Sequence, residues 1–97
     1  MNICIEYMYR DGANYKQYSE VILSNKNEIP IEEIRKKISL SLNDGEYFIP
    51  EDWNLPKLHL FEFDVEIDHE FHEFLDVKEI NLMPDYDKDI NDLTKII

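Results

Sequence analysis

The sequence predicts an α+β fold: a two-layer sandwich in which an antiparallel sheet of about four strands carries one main helix. Three observations predict it. Residues 61–68, Phe-Glu-Phe-Asp-Val-Glu-Ile-Asp, alternate apolar and acidic without a break, the period of a strand with one face in a core. Residues 2–9 are largely apolar on both faces, which suits a central strand. Ile31, Ile34, Ile38 and Leu42 recur at helical spacing, which places an amphipathic helix between the strands.

The chain has 97 residues, the length of one domain, here 1–97, with a modest core. In the first strand Ile3, Ile5, Tyr7 and Tyr9 share one face and Asn2, Cys4, Glu6 and Met8 the other. Asp11-Gly12 then signals a turn, and Val21-Ile22-Leu23 sits at the heart of a second strand over about 17–24. The two form a hairpin. Pro30 suits the first helical turn, and Glu32 and Glu33 complement the helix dipole there. Asn43-Asp44-Gly45 stops the helix, with Gly45 as a left-handed cap. Pro50 and Pro56 exclude a long element over 46–57, while Tyr47, Phe48 and Trp53 predict a loop packed on the core. The acidic strand over 58–68 comes next. A turn near 68–70 and a strand over about 71–80 complete a second hairpin. The tail from about residue 81 is loosely packed or forms a short helix lined by Ile90, Leu93 and Ile97.

Charge narrows the function classes. With 22 acidic and 10 basic side chains the formal net charge is −12, which argues against nucleic acid and anionic membranes as partners. It suits a basic protein partner or plain solubility. At 43% hydrophobic residues, with two glycines and four prolines, the composition is globular. The lone cysteine, Cys4, reads as a small buried hydrophobe of a reducing compartment. A basic, apolar leader and any membrane-length apolar run are missing from the pattern, so the expected location is the cytoplasm.

Three constellations carry polar chemistry. Arg10, Asp11, Asn14 and Lys16 crowd donors and acceptors into the first turn, suited to a small anion or a peptide backbone; the plainer reading pairs Asp11 and Asn14 with the turn and Arg10 with a carboxylate. His69-Glu70-Phe71-His72-Glu73, with His59 nearby, offers metal-ligand types. Its histidines are three apart rather than four, though, and a strand would turn His72 and Glu73 to opposite sides. Glu62, Asp64, Glu66 and Asp68 form a ladder of carboxylates about 7 Å apart; it is a solvated face offset by a lysine such as Lys78, or a docking surface. Glycine-loop and serine-nucleophile motifs do not occur, and no metal or cofactor is expected.

Tyr9-Arg10-Asp11-x-x-Asn14-Tyr15-Lys16, Ile34-Arg35, Phe48-Ile49-Pro50, Leu55-Pro56-Lys57-Leu58, Asp68 and His72-Glu73-Phe74 together resemble a family of small uncharacterised bacterial and prophage-associated proteins. Family members often carry Trp before the His-Glu pair, where this chain has Phe71. The resemblance spans about residues 5–77. It implies one intact α+β domain and no activity, and it marks Arg10, Asp11, Asn14, Lys16, His72 and Glu73 for attention. The resulting expectation is a non-catalytic interaction module, an accessory or inhibitor protein that docks through the acidic strand or the first turn. The alternative is a small-ligand-binding protein or enzyme built on Arg10, Asp11, Lys16, His72 and Glu73. A third reading has His69, His72 and a ladder carboxylate hold a metal. An exposed edge strand leaves room for a homodimer.

Overall fold

The computed structural model describes residues 1–10, 16–56 and 71–97. Its strands are β1 (Asn2–Arg10), β2 (Lys16–Leu23), β3 (Tyr47–Phe48) and β4 (His72–Ile80), and its helices α1 (Ile31–Ser41) and α2 (Ile90–Thr94). The strands form one antiparallel sheet in the order β2-β1-β4-β3, with α1 as the main helix. The α+β architecture is therefore the expected one, and β1 is central as its two apolar faces imply. Among the described residues the remaining strand is β3. Sequence alone places Tyr47–Phe48 in a loop, because two residues are too few to show a period. The acidic strand over 58–68 lies outside the described residues, as does its turn into β4.

The two faces of β1 have separate fates. Ile3, Ile5, Tyr7 and Tyr9 are buried against α1, α2 and residues 48–55, in a cluster with Val21, Leu23, Ile34, Ile38, Phe48, Trp53, Leu55, Val77, Ile90 and Leu93. Each Ile, Leu, Val or Phe side chain removed from water there stabilises the fold by about 1.5–3 kcal/mol. Phe48 stacks on Trp53 with ring centroids 4.4 Å apart, and with Leu55 both are buried in the core, so the described part of the 46–57 stretch packs on the core as expected. The Tyr7 hydroxyl donates to the Pro56 carbonyl at 2.7 Å. Burial, reinforced by the nearby Tyr86, pushes that hydroxyl up to about 12, so it stays a donor.

Strand β4 reads only roughly as a strand, and its register explains why. Glu6 faces Asp76 but Tyr7 faces Phe74, so Leu75 is an extra residue in a bulge. His72 and Phe74 take the core side before it and Val77 after it, which breaks a strict period of two.

Two helix-end expectations need correction. Pro30 is the residue before α1 rather than part of its first turn: its ψ of 138° is extended, and its carbonyl accepts from Glu33 N at 3.0 Å and Ile34 N at 3.2 Å. Gly45 does not cap α1, because Leu42 ends the helix in an extended conformation. Asp44 (φ 53°) and Gly45 (φ 73°) are instead the central residues of a turn closed by Glu46 N to Asn43 O at 3.1 Å. Positive φ at both positions gives a type I′ turn, for which Asp-Gly is a favoured pair.

The C-terminal segment is tied down. Asp85 accepts from the Ile22 amide at 2.7 Å, and its own amide donates to the Ile22 carbonyl at 3.1 Å. Asp89 accepts from Ser24 Oγ at 2.7 Å and from the Lys26 amide at 2.9 Å, and it caps α2 through the Asn91 amide at 2.9 Å. Burial alone would raise its pKa. Those hydrogen bonds and the Lys26 charge outweigh burial and hold the carboxyl below the usual carboxylate range. Among the described residues no helix is long and apolar enough to cross a membrane.

Candidate functional site

The side of the sheet away from α1 carries Cys4, Glu6, Met8 and Arg10 from β1. Their direct neighbours on β2 are Ile22, Glu20, Tyr18 and Lys16. Glu6 and Glu20 are therefore opposed like charges, an arrangement that costs stability when unrelieved. Two groups relieve it. Lys78 Nζ lies 2.6 Å from Glu6 Oε1, and this hydrogen bond, with the Glu6 charge, raises the lysine's pKa. The Cys4 thiol donates to Glu20 Oε2 at 3.6 Å. Burial, then the Glu20 charge, pushes the thiol up to about 11, so it is protonated at neutral pH and is a poor nucleophile.

Cys4 Sγ and one carboxylate oxygen each from Glu6 and Glu20 lie within 4.8 Å of one another. Among the described residues these three could hold a metal ion, although Lys78 and the thiol proton each engage one of the two carboxylates. Beside them, Glu6, Tyr18, Ser19, Glu20 and Leu75 line an open groove of about 270 Å³. Tyr18 is 63% exposed and Leu75 45%, far more than large apolar side chains on a packed sheet.

The predicted site residues separate. Arg10 Nε and Glu73 Oε2 form an ion pair at 3.2 Å on the outer face, the carboxylate partner expected for Arg10. Lys16 stands opposite Arg10 at the start of β2 and is exposed. His72 lies on the other side of the sheet, 1% exposed. Its ring is 4.8 Å from that of Tyr9, 6.1 Å from Tyr7 and 6.2 Å from Phe48. The structure thus joins Arg10 to Glu73 and parts both from His72. Asp11 and Asn14, the ladder Glu62, Asp64, Glu66 and Asp68, and His59 and His69 lie outside the described residues.

No motif marks Glu6, Glu20 or Tyr18 in the sequence. One signal was present: Glu6 is the only charge between Ile3 and Tyr9. Lys78, expected to offset the ladder, pairs with Glu6; the ladder itself lies outside the described residues. Comparison with known proteins returned no match, whether to a family model, a curated protein or a solved structure.

Proposed function

We propose that this chain is a non-catalytic interaction module that docks a basic protein on the outer face of its sheet. The observation that carries the reading is the groove where Glu6 and Glu20 oppose each other beside exposed Tyr18 and Leu75. A cationic side chain entering there would complete the relief that Lys78 and Cys4 supply in part. The two apolar side chains would supply buried area at the centre of the contact. The net charge of −12 would speed encounter with such a partner.

The alternative, a ligand site or enzyme on Arg10, Asp11, Lys16, His72 and Glu73, has less support. Arg10 is engaged by Glu73, and His72 is buried on the opposite face.

The test is capture from the native host's lysate with wild type beside a Glu6→Gln/Leu75→Ser variant of unchanged circular dichroism. A partner with a basic surface, released by raised salt and lost with the variant, is the expected result. Identical capture by both proteins, or capture insensitive to salt, would overturn the reading.

A further inference from the structure

The edges of the sheet are covered unequally. At β3, Tyr47 N donates to Asn43 O at 2.9 Å and Asn43 N to Tyr47 O at 2.7 Å, so the turn after α1 closes that edge. Where β3 ends, Arg35 Nη2 donates to the Val77 carbonyl of β4 at 3.0 Å. On the opposite edge, Asp85 covers Ile22 and the Ile90 amide takes the Ser24 carbonyl at 2.8 Å. Backbone groups of a strand alternate in direction, so the outward groups of β2 are those of residues 16, 18, 20 and 22. Among the described residues only the last is covered. Among the described residues, Lys16–Glu20 is the longest uncovered run of edge backbone, an invitation to strand pairing.

This run is complementary to itself. We propose that a second copy of this chain pairs antiparallel along it, about a two-fold axis at Tyr18. In that register Lys16 faces Glu20 of the second copy, Tyr18 faces Tyr18, and Glu20 faces Lys16. All three pairs use outward-facing backbone, so each exchanges both of its hydrogen bonds, about six in all. Both ends of the run carry opposite charges that meet, and the exposed Tyr18 rings lie against each other on the outer face. On the core side, Gln17 faces Ser19 of the second copy. The Gln17 carboxamide oxygen is buried and without a donor in the single chain, and the facing hydroxyl supplies one. Asp85 stops the pairing at Ile22, which sets its length. The contact is isologous, as two-fold symmetry requires, and small, so the dimer forms at high rather than trace concentration.

Sedimentation equilibrium of the purified full chain, without any partner, tests this separately from the docking of a basic protein. Wild type should pass from monomer to dimer with rising concentration. Lys16→Glu places Glu against Glu at both ends, and Glu20→Lys places Lys against Lys, so each variant alone should associate about tenfold or more weakly. An equimolar mixture of the two restores both ion pairs in a heterodimer and should recover wild-type association. Tyr18→Pro, which removes an outward amide while leaving the β1 ladder intact, should abolish it. A wild type that stays monomeric to about millimolar concentration, a range in which even weak contacts show, would overturn the proposal. So would single variants that dimerise like wild type, or a mixture that fails to recover.

Discussion

Along β1 alternate residues live in different solvents. Ile5 and Tyr7 are fully buried in the cluster that holds α1, α2 and the Phe48–Trp53 stack. Glu6, between them, faces Glu20 and is balanced by Lys78 at the surface. The inner face is held by area and shape, which tolerate little change. The outer face is held by charges that water screens. One strand thus combines a face that determines stability with a face free to serve recognition.

The largest expected effect comes from the inner face. Ile5→Ala should cost about 2–5 kcal/mol in urea unfolding, whereas Glu6→Gln next to it should cost at most about 1 kcal/mol. Similar losses would mean that the outer charges stabilise the sheet as strongly as its core. The pair His72 and Glu73 sharpens the contrast between neighbours in sequence. His72→Ala removes a ring from among Tyr7, Tyr9 and Phe48 and should cost about 3 kcal/mol. Glu73→Ala breaks a partly exposed ion pair and should cost no more than about 1 kcal/mol.

Asp89→Ala should destabilise by about 1–2 kcal/mol through loss of the cap and the ties to Ser24 and Lys26. Its carboxyl is held below the usual range in the folded chain. The stability it contributes is therefore fully present above the unfolded value of about 3.9 and lost as pH falls below that toward the folded one. Urea midpoints at pH 7 and pH 3 should differ less for Asp89→Asn than for wild type. The smallest effect on stability belongs to Cys4. With its thiol at about 11 against an ordinary 9.0, native thiolate at pH 8 is scarcer by about a hundredfold than in the unfolded chain. Alkylation by iodoacetamide should slow by at least that factor, and labelling as fast as in urea would show an accessible, unperturbed thiol.

How much was legible depended on range. The helix, the first hairpin and the buried inner face of β1 followed from spacing, because each is a local period imposed by one apolar environment. The Asp44-Gly45 turn was found by composition but assigned to the wrong neighbour, since a left-handed glycine suits a helix cap and a hairpin alike. Strand β3 was missed because two residues show no period. Arg10's need of a carboxylate was legible, yet its choice of Glu73, sixty-three residues away, was not.

What the sequence by itself determined is the α+β class, the central place of residues 2–9, the helix carrying Ile31, Ile34 and Ile38, and the acidic balance. These rest on propensity, periodicity and charge, which neighbouring residues settle among themselves. What only the tertiary structure decided is the strand order, the opposition of Glu6 and Glu20, the burial of His72 away from Glu73, and the edge left open along Lys16–Glu20. Each depends on register between distant segments, and a shift of one residue would carry every side chain to the other face.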